Sequence, residues 1–433
     1  MLKCDSDHHW WARYRPPMPE SEPPAADTPP FNDSLLSDHV DIARKVASGG
    51  YKWTHRAPEW IPAFVAEHDL GPFPAMRNRL REVVDLGGFG YHATIDHMIE
   101  AFCGWSTRRY GWTPDPALTV PNTSVIQGVW SCVEAFTEPT GAVILTPPIY
   151  FPFNTISEST GRRTVDWRLI KDDNGWHYDL DGLAHLLADD PGIQMLLLCH
   201  PHNPTGRVLT TDQLTRIVEL ASEHDVVIVS DEIHADFTYP GATHVPLAAV
   251  PGAASCTVTV TSGIKTFAMG GLRASVASFA DEDMLVRYRR IPEHLLGSPN
   301  RLGCEAAIVG WEEGDTWVDQ LVALFDHHRH HLASRLADEL PDVRMHVPQS
   351  TFLAWLDLSA LGPGDRPGRW LRDRTGVDCK DGPLFGPGGE GHARLTFGTS
   401  TAMLDEIIDR LVSGIGTSPA SSLETDIGNS AFH

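Results

Sequence analysis

Short apolar segments recur through the middle of the chain, and their composition predicts buried β-strands. Four of them are mostly apolar and several are rich in β-branched residues: 142–146 (AVILT), 195–199 (MLLLC), 226–230 (VVIVS) and 257–261 (TVTVT). Continuous apolar segments of this length are typical of parallel strands that are covered on both faces. We therefore expect a largely parallel sheet.

A helical pattern separates the second and third of these segments. In residues 211–224, Leu214, Ile217, Val218 and Ala221 follow the i, i+3, i+4, i+7 spacing of one apolar helix face. Thr210 precedes them as a suitable N-cap. Strands that alternate with amphipathic helices predict an α/β domain with a parallel sheet.

The pattern changes after about residue 315 and predicts a smaller α+β domain. A long helical stretch, 316–340, is followed by the strand-like segments 351–358 and 393–397 and by a last helix at 403–412. The predicted organisation has five parts: a flexible N-terminal extension (1–45), an N-terminal segment of the small domain (46–90), a large domain (91–314), a small C-terminal domain (315–413) and a flexible tail (414–433).

Composition and charge narrow the classes of partner. The 433 residues have a formal net charge of −23 and seven cysteines. An acidic chain does not favour nucleic acid, which requires a basic surface. Neither an apolar leader nor a membrane-length apolar run is present, and no cysteine pair has zinc-ligand or CxxC spacing. We expect a cytoplasmic enzyme that acts on a small molecule, with no metal, membrane or nucleic-acid partner.

Polar residues follow three of the predicted strands directly. Asn203 follows the second strand, Asp231 and His234 follow the third, and Ser262 and Lys265 follow the fourth. Ligands of open α/β sheets bind just beyond the carboxyl ends of the strands, so we expect these side chains to share one crevice.

An amide, a carboxylate and a lysine together are what pyridoxal 5′-phosphate (PLP) requires. Lys265 would form the Schiff base with its aldehyde. Asp231 would keep the pyridine nitrogen protonated, because an opposite charge favours the charged form. Asn203 would bind the ring hydroxyl, and backbone N–H groups at a helix start would bind the phosphate.

The sequence resembles fold-type I PLP enzymes of the aminotransferase class I/II group and, more narrowly, the MalY/PatB-type cystathionine β-lyases, or cysteine-S-conjugate β-lyases. The resemblance runs from about residue 51 to 412. It rests on ordered motifs that include YKW (51–53), IPAFVAEHD (61–69), GGFGY (87–91), PPIYFPF (147–153), PHNPTGRV (201–208), VSDEIHADF (229–237), SGIKTF (262–267) and GPLFGPGGEGHARL (382–395). It implies an aspartate-aminotransferase-like fold, with a large domain whose mostly parallel sheet is sandwiched by helices, plus a smaller α+β domain.

The resemblance also implies roles around the cofactor ring and phosphate. Lys265 would hold the cofactor and move the Cα proton of the substrate, and Tyr150 would stack on the ring. A histidine at position 234 is usual in the β-lyases, either as a catalytic or as a structural residue. The phosphate would be bound by Ser124, Val125, Ile126, Ser262 and Arg273.

Two further roles concern the substrate and the subunit interface. Arg394 would bind the α-carboxylate of the substrate, for which the guanidinium fork is well shaped, although a structural ion pair is an alternative. Tyr91 would reach the cofactor of the neighbouring subunit in a homodimer, unless it is a core residue.

The expected reaction is β-elimination from an S-substituted L-cysteine, which yields a thiol, pyruvate and ammonia. Three departures from the family leave the substrate open: His68, Ala268 and Arg273, the last of which is more typical of aminotransferases. An aminotransferase, or a specialised biosynthetic enzyme that performs decarboxylation or γ-elimination, is therefore the alternative. A PLP-binding regulator without catalysis is a third possibility, although the chain has no basic face for DNA.

Overall fold

Strands and helices alternate through most of the chain, as the apolar pattern predicts. The computed structural model describes residues 36–55 and 57–416. The helices are α1 (Ile42–Ala47), α2 (Tyr51–Thr54), α3 (Pro74–Asp85), α4 (Ile95–Tyr110), α5 (Val125–Phe136), α6 (Ile156–Thr160), α7 (Leu180–Asp189), α8 (Thr211–Glu223), α9 (Glu282–Tyr288), α10 (Glu293–Leu296), α11 (Arg301–Glu313), α12 (Asp315–Glu339), α13 (Pro367–Thr375) and α14 (Thr401–Gly416).

Most of the strands belong to two sheets. The strands are β1 (Ile61–Pro62), β2 (Thr119–Asn122), β3 (Ala142–Leu145), β4 (Arg163–Asp166), β5 (Ile170–Asp172), β6 (Gly175–His177), β7 (Ile193–Cys199), β8 (Val227–Asp231), β9 (Thr257–Thr261), β10 (Ser275–Phe279), β11 (Arg344–Met345), β12 (Leu353–Asp357), β13 (Val377–Asp378), β14 (Lys380–Asp381) and β15 (His392–Thr396).

The larger sheet has seven strands in the order β2-β10-β9-β8-β7-β3-β4. The central pairs β3–β4, β3–β7, β7–β8 and β8–β9 are parallel, and β10 pairs antiparallel with both β9 and β2. The predicted α/β class with a mostly parallel sheet is thus confirmed. Nearly every residue of β3, β7, β8 and β9 is buried, which explains why these segments lack polar alternation.

Helix α8 forms as its pattern predicts. Leu214, Ile217, Val218 and Ala221 are all buried, so the apolar stripe faces the core. Thr210 caps the helix and forms a capping box with Gln213, in which each side chain bonds the other residue's backbone N–H.

The C-terminal half of the chain builds a four-stranded antiparallel sheet in the order β11-β12-β15-β14. Helix α12 contacts both β11 and α14. The N-terminal segment reaches this region, because β1 pairs in parallel with β13. The pairing agrees with a core shared between residues 46–90 and the C-terminal part, and the five-part division of the chain stays a prediction.

The sequence also led to predictions about the chain ends, membrane-spanning segments and metal sites. Residues 1–35 and 417–433, which make up most of the predicted extension and tail, lie outside the described residues. Within the described part, no helix is long and apolar enough to span a membrane, and no group of three or more His, Cys, Asp or Glu side chains is arranged to hold a metal ion.

A buried ion pair anchors the segment that precedes α3. The Lys52 ammonium lies 2.8 Å from Asp69 Oδ2, and the two side chains are 2% and 4% exposed. Lys52 also donates to the Glu67 carbonyl at 3.0 Å, and the Trp53 indole donates to Asp69 Oδ1 at 2.7 Å. These bonds hold residues 67–69 against α2.

We expect Asp69→Asn to lower the free energy of unfolding by about 3 kcal/mol, because removal of one partner leaves a buried charge uncompensated. Urea denaturation measures the change. Glu406→Gln is the matched control, since the Arg410–Glu406 pair is exposed and should contribute well under about 1 kcal/mol. Equal effects of the two substitutions would contradict the anchoring role.

Candidate active site

The carboxyl ends of three adjacent parallel strands open into one cavity of about 290 Å³. In the sheet, Cys199 at the end of β7 lies opposite Asp231 at the end of β8, which in turn lies opposite Val260 of β9. Ten of the twelve residues predicted for the site line this cavity: Ser124, Val125, Ile126, Tyr150, Asn203, Asp231, His234, Lys265, Arg273 and Arg394.

Lys265 lies in the turn that follows β9, and its side chain is directed into the cavity. Its Nζ donates a hydrogen bond of 2.6 Å to the backbone carbonyl of Ala66. Burial, together with the positive charge of Arg394, lowers the pKa of the Lys265 amine to about 8. A larger fraction of this amine than of an ordinary lysine is therefore neutral and nucleophilic near neutral pH.

Asp231 is the last residue of β8 and is 3% exposed. Its Oδ1 accepts a hydrogen bond of 3.1 Å from the backbone N–H of Ile233. Burial raises the pKa of this carboxyl to about 7, because the effect of burial exceeds the opposing effects of the hydrogen bond and of the charge of Lys265. A cationic N–H group of a bound ligand would restore the ionised form.

Arg394 on β15 is almost completely buried, at 2% exposure. Its Nη1 donates to Asn203 Oδ1 at 3.1 Å and its Nη2 to the Phe64 carbonyl at 2.8 Å, while Nε has no partner in the described part of the chain. These acceptors are neutral, and burial lowers the pKa of the guanidinium to about 10. A carboxylate entering the cavity would offset this charge.

The geometry of Asn203 is compatible with a donor role. Because its Oδ1 accepts from Arg394, the Nδ2 amide is the group that remains able to donate to a ligand. A backbone hydrogen bond stabilises the loop that carries Asn203, because the Gly206 N–H donates to the His202 carbonyl at 2.7 Å.

A helix start and an arginine also line the cavity. Ser124 caps α5 by accepting from the Gln127 N–H at 3.2 Å. The N–H groups of Val125 and Ile126, in the first turn of this helix, have no intrahelical acceptor, and such a turn attracts anions. Arg273 lines the same cavity.

Ser262 does not line the cavity, unlike its neighbour Lys265. Its buried hydroxyl donates to the Ala274 carbonyl and accepts from the Ile264 N–H at 3.1 Å. Those bonds fix the turn between β9 and Lys265. A direct bond from Ser262 to the phosphate stays a prediction.

Tyr150 and His234 both line the cavity, but their rings have different surroundings. Tyr150 packs edge-on against Phe151 and Phe153, with ring centroids 5.2 and 5.5 Å away. The His234 ring is buried and its Nδ1 has no hydrogen-bond partner among the described residues. Burial lowers the pKa of His234 well below its usual value, so this imidazole is neutral.

Tyr91 lies apart from the cavity within this chain. Its side chain is fully exposed and borders a separate surface depression with Gly88 and Arg301. The alternative that Tyr91 is a core residue is therefore wrong. Its contribution to the active site of a neighbouring subunit stays a prediction.

Several residues that shape the site were not predicted from the sequence. Ala66 and Phe64 contribute backbone carbonyls, which no side-chain pattern reveals. Asp236 accepts hydrogen bonds from the Trp105 indole, the Tyr110 hydroxyl and the Thr266 hydroxyl. It thus holds the loop immediately after Lys265.

Two positions that depart from the family pattern lie outside the cavity. His68 is buried among Phe237, Phe325 and Phe352, and its Nε2 lies 3.1 Å from the Thr266 carbonyl. Its segment borders the cavity only through residues 64–66. Ala268 has φ of 49°, a left-handed conformation that asparagine adopts more readily than alanine.

The cavity fits PLP on the chemistry of its lining groups. A lysine with a lowered pKa suits an aldehyde, and a buried carboxyl with a raised pKa suits a pyridine nitrogen. The start of α5 and Arg273, which line the same cavity, suit a phosphate. Arg394, with an unpaired Nε, is left for an acidic group of a substrate.

Comparisons with known proteins agree with this geometry. The sequence profile described as "Aminotransferase class I and II" matches residues 75–411. Cystathionine beta-lyase PatB of Bacillus subtilis is 33% identical over 354 residues, which cover 81% of this chain and 91% of that protein. The PLP-bound C–S lyase of Staphylococcus hominis superposes with a TM-score of 0.81 at 26% identity and covers 86% of this chain and 97% of that one. Cystalysin of Treponema denticola, which contains PLP, superposes with a TM-score of 0.81 at 25% identity and covers 85% and 96% of the two chains.

The cofactor-free protein should gain stability when Asp231 is replaced by Asn. The folded-state pKa of about 7 lies above the ordinary value of 3.8, so ionisation of the buried carboxyl destabilises the fold progressively from about pH 4 to above pH 7. We expect the advantage of Asp231→Asn to be about 2 kcal/mol larger at pH 8 than at pH 5.5.

Urea denaturation at the two pH values measures this difference. Asp212→Asn, at an exposed position in the first turn of α8, is the matched control and should show little pH dependence. A stability difference for Asp231→Asn that does not change with pH would contradict the assigned pKa direction.

Proposed function

Since this chain belongs to the aminotransferase class I and II family, and to the branch that contains cystathionine beta-lyase PatB, we propose that it is a PLP-dependent C–S β-lyase. Its substrate is an S-substituted L-cysteine, and its products are a thiol, pyruvate and ammonia. The observation that carries the proposal is the convergence of Lys265 with the buried Asp231 and Arg394 on one cavity.

PLP, when bound, supplies an aldehyde that links to amines and a ring that withdraws electrons from the substrate Cα. Asp231 would hold a proton at the pyridine nitrogen, and Asn203 would donate its amide to the ring hydroxyl. Tyr150 would pack against the ring. Ser124, Val125, Ile126 and Arg273 would bind the phosphate, and Ser262 would fix the turn that carries Lys265.

Lys265 moves the substrate proton. With a pKa lowered to about 8, its amine would be available as a base for the Cα proton of the substrate. Removal of the Cα proton is coupled to cleavage of the Cβ–S bond, and the electron pair leaves with sulfur as a thiol. The remaining three-carbon fragment hydrolyses to pyruvate and ammonia.

Arg394 orients the substrate by binding its α-carboxylate. The bonds to Asn203 and to the Phe64 carbonyl hold the guanidinium plane, which limits the positions that the carboxylate can take. The neutral His234 lies beside this site and fills space without a competing charge. Together these groups present the Cα–H bond to Lys265.

We also propose that two subunits form a homodimer with shared active sites. The fully exposed Tyr91 side chain, at the end of the GGFGY motif, then reaches the cofactor of the partner subunit. Tyrosine is enriched at the interfaces between subunits.

Purified PLP-loaded protein, mixed with L-cystathionine and no keto acid, should form pyruvate over many turnovers. Lys265→Ala should reduce this rate by at least about a thousandfold and remove the visible absorbance of the bound cofactor, because the variant lacks the amine that links to the cofactor aldehyde. Arg216→Ala, which removes a cation outside the cavity, is the matched control. A single turnover that leaves the pyridoxamine form would instead establish an aminotransferase.

The shared site predicts complementation between two impaired variants. Tyr91→Phe and Lys265→Ala should each be strongly impaired alone, yet their mixture should recover up to about a quarter of wild-type activity, since half of the randomly paired dimers would contain one intact site. Activity of the mixture, measured after subunit exchange and followed by native mass spectrometry, tests this. Hybrid dimers without recovered activity would contradict a role for Tyr91 across the interface.

A further inference from the structure

A second cavity lies apart from the candidate active site, between the β5–β6 hairpin and the sheet β11-β12-β15-β14. Its volume, about 290 Å³, is similar to that of the active-site cavity, and no residue lines both. Residues of the hairpin and of β11, β12 and β15 form its walls. The chemistry described above makes no use of this cavity.

A hydrogen-bond network holds the walls of this second cavity together. Lys171 on β5 donates to Asp357 Oδ2 on β12 at 2.6 Å and to His392 Nε2 on β15 at 3.0 Å. His392 Nε2 can accept this bond because its Nδ1 donates to the Glu390 carbonyl at 2.7 Å. A two-stranded hairpin alone is only marginally stable, so these bonds fix the hairpin against the sheet and the cavity is preformed.

Two tryptophans give the second cavity apolar walls. Trp176 comes from the hairpin and Trp355 from β12, and both side chains are largely buried. The Trp355 ring stacks on the His392 imidazole, with centroids 5.2 Å apart. Aromatic walls that surround convergent polar groups are typical of small-molecule sites.

Two charged side chains of opposite sign remain at this cavity without an ion-pair partner among the described residues: Arg344 on β11 and Asp173 in the hairpin turn. The other charges are already compensated. Lys171 and Asp357 neutralise each other as an ion pair, and Asp172 is hydrogen-bonded within its own hairpin.

The two remaining charges belong to different walls. Arg344 is directly opposite Asp357 in the pairing of β11 with β12, and opposite residues of antiparallel strands share a face of the sheet. Arg344 therefore lies on the face that the hairpin covers, whereas Asp173 belongs to the hairpin itself. Burial lowers the pKa of both His346 and His392, so these imidazoles add no positive charge at neutral pH. A ligand with a single charge would compensate only one wall.

We propose that this cavity is a second ligand site, for a small zwitterion of the class of free α-amino acids. The carboxylate of the ligand binds Arg344, its ammonium group binds Asp173, and its side chain packs on Trp176 and Trp355. The site goes beyond the proposed lyase activity, because it shares no lining residue with the active-site cavity.

Three compounds of equal size test the need for both charges. N,N-dimethylglycine is a zwitterion whose tertiary amine cannot form an imine with the cofactor. Isovalerate has a CH group in place of its nitrogen, and N,N-dimethylisobutylamine has an isopropyl group in place of its carboxylate. Calorimetry with the PLP-loaded protein should give about tenfold tighter binding of the zwitterion than of either counterpart, because each charge-assisted hydrogen bond adds affinity.

Substitution of one wall at a time should remove one half of the recognition. Arg344→Met should reduce the affinity for N,N-dimethylglycine to that for the amine, and Asp173→Asn should reduce it to that for isovalerate. Arg216→Met and Asp212→Asn are the matched controls at exposed positions on α8, outside both cavities, and should keep the wild-type affinity.

The measurement separates this site from the active site. Equal affinities of the three compounds, or no detectable binding of the zwitterion, would overturn the second site. A preference for the zwitterion that persists in both Arg344→Met and Asp173→Asn would also overturn it, because the compound would then bind elsewhere, as at Arg394. None of these outcomes affects the proposed lyase, which pyruvate formation tests.

Discussion

The burial of the Arg394 guanidinium is the constraint on which the site depends. An ion removed from water is stable only when hydrogen bonds replace its hydration, and here the replacements come from Asn203 and the Phe64 carbonyl. Three distant parts of the chain must therefore meet at one point: the loop after β7, the segment before α3, and β15. The Lys52–Asp69 pair holds the second of these in place, so a buried ion pair outside the cavity supports the charge inside it.

The same low dielectric sets the chemistry of the catalytic groups. Burial raises the pKa of Asp231 to about 7 and lowers that of Lys265 to about 8, so each group is moved towards its neutral form in a pocket without ligand. A cofactor with a cationic ring nitrogen and an anionic phosphate, and a substrate with an acidic group, would restore the charges. The charged groups of the cavity therefore favour ligands that are larger and more polar than those that its apolar walls alone would bind.

Much of the fold follows from local patterns. Strand β9 has the predicted bounds, and β3, β7 and β8 differ from prediction by one or two residues, because buried parallel strands are continuous apolar segments. Helix α8 and its cap were predicted because one face of this helix is apolar and the opposite face is polar. Helix α11 has no such face, since residues from Gly303 to Trp311 are all buried, and it therefore shows no amphipathic period. The parallel pairing of β1 with β13 joins segments more than 300 residues apart, and no local pattern encodes it.

The sequence by itself determined the residues that follow the parallel strands. Asn203, Asp231 and Lys265 could be placed at one crevice because all parallel strands of a sheet end on the same side, and motif resemblance added Tyr150, Arg394 and the start of α5. Only the tertiary structure decided that Ser262 turns away from the cavity, that Tyr91 is exposed, and that the β5–β6 hairpin and the C-terminal sheet enclose a second cavity. These facts depend on the register between strands and on the docking of one sheet against another, which long-range packing sets and neighbouring residues in the sequence do not.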